Sequence, residues 1–237
     1  MHFCGLTTEQ FAVGEVVRKM PTNRPTYVLE ADLPGVTRQQ LSEWCAFAFS
    51  FWAEACDLEF REVASRTQAN FRITHHQFGD GPFGVLADCQ LPYGGQQLMR
   101  LDIATKWVAS VNPPQGAIDI VAVLAHEMGH GIGLSHFPTG GPPDLMEPSY
   151  RAGLRKPQSA EREYVRKLYG EPKVSQPVPT PVAPLGDSLG VDLVIGKMTE
   201  EFAEIERFAF VSGGRKYLAT GKANRVQPNK FMAGGLE

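Results

Sequence analysis

The stretch that decides the fold runs from Ile118 to His136, IDIVAVLAHEMGHGIGLSH. From Ile118 to Gly131 it is apolar nearly all round except at His126, Glu127 and His130, the pattern of a helix buried in a core. Asp119 stands where an N-cap side chain would accept from the first turn. Two histidines four apart project from one helix face, so His126 and His130 can converge on one metal ion. Glu127, beside the first of them, can reach water at that ion without being a ligand. His136 cannot lie on the same straight helix and reach the same ion. The chain must turn sharply before it, and Gly133 supplies the positive φ such a turn needs.

Three neutral nitrogen ligands leave a fourth position open, which is the arrangement of a catalytic zinc site and not of a closed structural one. Zinc there would polarise a carbonyl and bring the pKa of water toward about 7, with Glu127 as general base and then as proton donor to the leaving amine. Peptide hydrolysis is the reaction these parts imply. A bare His-Glu-x-x-His arises by chance in roughly one such chain per hundred, and the added glycine and third histidine cut that by about a thousandfold. Coincidence is therefore set aside. Two other readings stay open: a zinc-containing protein-binding module without peptidase activity, and an amidase of another metalloenzyme family. Loss of activity usually shows in the base, and Glu127 is present.

The chain has 237 residues, enough for one well-buried domain and a smaller appendage. Its 43% hydrophobic and 21% charged residues are those of a globular protein, and a net charge of -3 argues against a surface built to grip nucleic acid or anionic lipid. No apolar run is long enough to cross a bilayer, and the start, MHFCGLTTEQ, lacks the basic and apolar segments of a secretion signal. The expected partners are protein or peptide substrates, with no nucleic acid and no membrane. Oligomeric state is not fixed by these features. Cys45 and Cys56 share a predicted helix about 16 Å apart, too far for a disulfide, and with Cys89 they read as buried apolar residues. The redox compartment stays open.

Arg24 to Ala31 reads as a strand, and Val36 to Cys56 as a long helix with Leu41, Trp44, Phe47, Phe51 and Trp52 on its core face. β-like runs follow at 58–63 and 69–75, then a Gly-rich turn at 78–84, then GVLADCQL at 84–91 and LMRLDIAT at 98–105. Beyond the motif, a loop rich in Pro and Gly runs to about Pro157, and SAEREYVRKLYG closes the domain as an amphipathic helix stopped by Gly170. The run EPKVSQPVPTPVAPLGDS reads as a semi-extended linker, and beyond it FAFVS and KYLATG flank Gly213 and Gly214 as a hairpin. The expected division is an N-terminal segment at 1–24, a catalytic domain at 25–171, a Pro-rich linker at 172–188 and a small C-terminal module at 189–237. For that module a targeting or binding role and a partly ordered appendage are both open.

The spacing H-E-x-x-H-x-x-G-x-x-H followed by a methionine turn is that of the metzincins, and DLMEPSY, Asp144 to Tyr150, puts Met146 at that turn. Among metzincins the chain looks most like the matrixins, the matrix metalloproteinase branch. Astacins and serralysins carry a zinc-binding tyrosine two residues after the methionine, where this chain has Pro148. The resemblance extends from about Pro25 to Gly170. It implies an α+β fold, with a twisted mixed sheet, a long helix, an active-site helix and a C-terminal helix. It also implies a floor of Met146 under the zinc, and a pocket for the residue after the scissile bond lined by Pro148 and Tyr150 and preferring apolar side chains. GVLADCQLP, with Val85, Leu86 and Ala87, would be the edge strand that pairs with extended substrate backbone. The same resemblance implies an extracellular place of action.

The chain departs from the family in two places. Matrixins bind a structural zinc through a His-x-Asp pair and two further histidines, and the corresponding positions here are Phe78 with Asp80, Asp88 and Arg100. An arginine cannot ligate a cation, so no structural zinc is expected. The neighbouring calcium loop is shortened, leaving Asp80, Asp88 and Asp102 as scattered acids on which a calcium site is undecided.

The second departure concerns latency. In matrixins a propeptide Cys-Gly places a thiolate on the catalytic zinc. Cys4-Gly5 lies upstream of the first strand at about the family separation, and a thiolate there would displace the nucleophilic water. The family's arginine before that cysteine is Phe3, and its aspartate four residues after is Thr8, so the clamping ion pair is missing. Cys4 is either a latent-state zinc ligand, making the chain a zymogen, or a thiol on a frayed terminus.

Overall fold

The computed structural model describes residues 3–4, 19–79, 84–137 and 143–173, together with the backbone of four strands between 191 and 233. The chain divides into two compact units, 1–181 and 182–237.

The first unit is built on a six-stranded mixed sheet. Its strands are β1 (Phe3–Cys4), β2 (Thr26–Leu29), β3 (Arg61–Glu62), β4 (Phe71–His76), β5 (Val85–Cys89) and β6 (Gln97–Asp102), in the order β1-β5-β6-β4-β2-β3. β2 pairs parallel with β3 and β4, and β4 pairs parallel with β6 from Phe71 opposite Gln97 to His76 opposite Asp102. β5 runs antiparallel to β6, and β1 lies parallel to β5 on its outer side. The two-residue alternation of side chains explains which face is covered. Phe71 and Ile73 of β4 and Met99 and Leu101 of β6 point into the core, while Arg72 and Thr74 are half-buried on the other face. The runs read as strands at 24–31 and 58–63 are longer than what pairs, because only Thr26–Leu29 and Arg61–Glu62 find a neighbour.

Two helices cover the sheet. α1 (Arg38–Ala53) begins at Arg38 and not at Val36 as its apolar pattern suggests, because Thr37 caps it in a reciprocal box with Gln40. Its buried face carries Leu41, Trp44, Phe49, Phe51 and Trp52. α2 (Ile120–Gly131) is buried along its whole length. Trp52 ties the two together by donating Nε1–H to the Ala125 carbonyl at 2.8 Å. A short parallel pair, β7 (Trp107–Val108) with β8 (Ile118–Asp119), anchors the start of α2. Ile118 is thus strand and not helix, and Asp119 is the cap, accepting from Val121 N–H at 3.3 Å.

α3 (Ser159–Tyr169) closes the unit and ends at Gly170, whose φ of 91° is open to glycine at little cost. Tyr169 donates its hydroxyl to the Ile132 carbonyl at 2.7 Å, which holds the chain just beyond α2.

The second unit is an antiparallel sheet of β9 (Val191–Met198), β10 (Phe202–Ser212), β11 (Arg215–Gln227) and β12 (Lys230–Ala233), ordered β12-β11-β10-β9. Ser212 pairs with Arg215, so the expected hairpin forms around Gly213 and Gly214, themselves outside the described residues. Residues 174–190, which include most of the Pro-rich linker expected at 172–188, also lie outside them.

Candidate active site

α2 carries His126, Glu127 and His130 into one place, and the backbone then reverses to bring His136 back to them. Gly133 adopts φ 103°, and its N–H bonds the His130 carbonyl at 2.9 Å while Leu134 N–H bonds Gly129. The three imidazole centroids lie 4.8 to 5.6 Å apart. Two of the rings are oriented from behind. His126 Nδ1 faces the Leu145 carbonyl at 2.6 Å and His130 Nδ1 the Leu134 carbonyl at 2.8 Å, so each Nδ1 carries the proton and each Nε2 a lone pair.

Those two Nε2 atoms are 3.1 Å apart, with neither able to donate to the other. Nε2 of His136 is buried and has no hydrogen-bond partner among the described residues. Burial drives all three histidines toward the neutral form, His126 to about 4, His136 to about 3 and His130 well below the ordinary value. Converging lone pairs and an orphaned buried nitrogen are the condition that a bound cation relieves, and nitrogen donors in this number suit zinc.

A fourth donor completes the group. The ligand atoms of Cys4, His126, His130 and His136 all lie within 4.8 Å of one another. Cys4 Sγ is 3.4 Å from His130 Nε2 and 3.8 Å from Glu127 Oε2. β1 sets this position: Phe3 stands opposite Val85 and Cys4 opposite Ala87, while Cys4 N–H bonds the Pro148 carbonyl at 3.0 Å. β1 therefore bridges β5, alongside Val85 and Ala87, and the Pro148 carbonyl. Gly5 and Thr8 lie outside the described residues. Glu127 is buried, and its carboxyl is pushed up to about 8, first by desolvation, against a lowering contact from Cys4.

Met146 packs against the bare Cα of Gly129. A Cβ there would collide with Met146 Sδ and with Trp52. Behind it, Glu161 of α3 accepts from Met146 N–H and from Gln158 N–H, both at 2.5 Å. Pro148 and Tyr150 line a pocket beside Glu127 whose apolar walls include Leu86, Ala122, Val123, Leu145 and Leu154. The Tyr150 hydroxyl accepts from Asp119 N–H at 3.0 Å. Arg155 in turn donates to both Asp119 carboxylate oxygens, at 2.7 and 2.8 Å.

Matrixin is the family whose sequence model matches residues 19–170, the span that holds every element of this site except Cys4. The chain belongs to the matrixin family. It is 30% identical to stromelysin-3 of Rattus norvegicus over 167 residues, which is 66% of this chain and 32% of that protein. It is 31% identical to stromelysin-3 of Mus musculus over 181 residues, 72% of this chain and 34% of that one. Metalloendoproteinase 1 of Glycine max is 33% identical over 138 residues, 53% of this chain and 44% of that protein. The match thus spans about a third of the stromelysins and under half of the plant protein.

Within this matrixin, the positions of the family's structural zinc do not fit a cation. Asp88 and Arg100 stand opposite one another across β5 and β6 and form a two-pronged ion pair, with the guanidinium 5.5 Å from the Phe78 ring centroid. Asp102 accepts from Thr105, and Asp80 lies outside the described residues. Glu161, Arg155 and Glu147 were not marked as functional by the sequence. The one available signal was an acid three residues into α3, the position of a capping-box partner.

Proposed function

We propose that this matrixin is a zinc endopeptidase whose metal is held by His126, His130 and His136, with Glu127 as general base and Cys4 as an inhibitory fourth ligand. The observation that carries the reading is the convergence of two Nε2 lone pairs and the orphaned Nε2 of His136 beside a buried glutamate. Zinc bound there would supply Lewis acidity toward the scissile carbonyl and the attacking water.

The chain's own residues do the rest. Glu127 takes the proton of the attacking water and hands it to the leaving amine, a role that its place next to His126 in the pocket lining allows. Leu145 and Leu134 carbonyls hold the imidazoles in the ligating tautomer. The backbone of Val85, Leu86 and Ala87 on β5 holds substrate as an added strand, and Pro148 bounds the other side. β1 fits the same groove, which supports an extended peptide there. The Pro148 and Tyr150 pocket receives the side chain after the scissile bond. Residues 1–24 then act as an inhibitory arm on the catalytic domain at 25–171.

Purified protein, trimmed at its N-terminus, is incubated with a casein or gelatin mixture, with and without a chelator, beside Glu127→Ala. Cleavage that the chelator abolishes and the variant lacks supports the reading. If both proteins bind zinc and neither cuts any peptide, the chain is a zinc-containing binding module.

A further inference from the structure

Glu147 lies between the turn methionine and Pro148, and the general motif leaves its position unspecified. It is 3% exposed and belongs to the lining of the pocket beside Glu127. Its two carboxylate oxygens are treated unequally. Oε2 accepts from Nε and Nη2 of Arg151, at 3.3 and 3.1 Å. Oε1 is buried and has no hydrogen-bond partner among the described residues. An acceptor in that state bears its full desolvation cost, and a buried unsatisfied group in a binding pocket is what a ligand donor relieves.

The surroundings narrow the donor. Leu86, Ala122, Val123 and Leu154 make the pocket apolar along its walls, so an entering side chain needs an apolar stem. Arg151 already balances the carboxylate charge. An ammonium would be held by one oxygen while facing that guanidinium, whereas a neutral N–H loses nothing to it.

We propose that Glu147 is a specificity-determining residue: Oε1 accepts from a neutral N–H or O–H donor ending an otherwise apolar substrate side chain after the scissile bond, with glutamine the closest fit among ordinary residues. This rests on the peptidase reading and refines the expected apolar preference. A site built to accept a hydrogen bond discriminates against the analogue lacking it far more sharply than an apolar pocket senses a methylene.

The test uses full-length zinc-loaded Cys4→Ser protein and three fluorogenic peptides differing only after the scissile bond, with glutamine, methionine or lysine there. Glutamine and methionine match in length and branching and differ in the donor. The kcat/KM ratio of the glutamine to the methionine peptide falls about tenfold or more in Glu147→Leu. Glu147→Gln, which keeps an acceptor oxygen, retains more of the ratio than leucine does. Arg151→Met raises the lysine to methionine ratio. Each ratio is taken within one variant, so a general loss of folded protein does not enter it. Cleavage with a glutamine to methionine ratio unchanged in Glu147→Leu overturns the inference and leaves the peptidase reading standing. No cleavage of any of the three overturns both.

Discussion

The Cys4 sulfur lies 3.4 Å from Nε2 of His130, and the Cys4 N–H is bonded to the Pro148 carbonyl on the far side of the cleft. The sulfur thus stands at the place where the proposed reaction needs water. Replacing Cys4 by serine, or alkylating it, raises peptide cleavage by about tenfold or more, since as little as about 1.4 kcal/mol of thiolate–metal affinity gives that factor. Initial rates on one fluorogenic peptide, with and without alkylation, measure it. Equal rates for wild type and Cys4→Ser would leave the sulfur a bystander.

Gly129 and Gly131 make similar helical contacts with different consequences. A Cβ at Gly129 meets Met146 and Trp52, and one at Gly131 meets Phe71 Cε1 at 2.6 Å. Each change to alanine lowers stability by about 1–3 kcal/mol through overpacking, read as a drop in thermal midpoint. Only Gly129→Ala pushes on the turn beneath the histidines, so it alone also weakens zinc binding in a competition titration.

The Asp119 carboxylate is fully buried and its pKa is raised by desolvation, against the opposing pull of Arg155. Arg155→Met leaves that charge unpaired at the cap of α2 and costs about 3–5 kcal/mol in urea unfolding. The double variant Arg155→Met with Asp119→Asn recovers a large part of the loss. Because Tyr150 leans on Asp119 N–H, the single variant also raises KM for peptides with a large residue after the scissile bond.

Glu161 carries a pH signature. Burial raises its carboxyl from 4.5 to about 7 in the folded chain, despite the backbone N–H donors of Gln158, Met146 and Leu145 that favour the ionised form. A carboxyl raised on folding binds its proton more tightly folded than unfolded, so its contribution is full below about pH 4.5 and is lost as pH rises through about 7. Unfolding free energy measured from pH 5 to 8 therefore declines by a component that Glu161→Gln removes. An identical slope in the variant contradicts this assignment.

α2 and the convergence of its two histidines with His136 were legible because their signal is local: histidines four apart in an apolar helix, then a glycine that permits reversal. The resemblance offers Cys4 as a latent-state ligand, but the pairing that holds it was not legible, since a two-residue parallel pairing with β5 leaves no periodicity and its partners lie more than 80 residues away in sequence. The same holds for Arg155 on Asp119 and for Glu161 under Met146, whose roles arise only when the loop after the motif folds back. Ile118 belongs to β8 although the apolar run places it in the helix, because that run does not reveal the pairing with β7, whereas Asp119 is the cap its position suggests. The partners of Arg100, Asp88 and Phe78, emerge only from the register of β5 on β6.

The central claim is the ligand set, and zinc K-edge X-ray absorption of the intact, zinc-loaded protein tests it most directly. The expected spectrum has three nitrogen scatterers at about 2.0–2.1 Å and one sulfur at about 2.3 Å, with the sulfur replaced by oxygen in Cys4→Ser. A wild-type spectrum with no sulfur, or with fewer than three imidazole nitrogens, would contradict it.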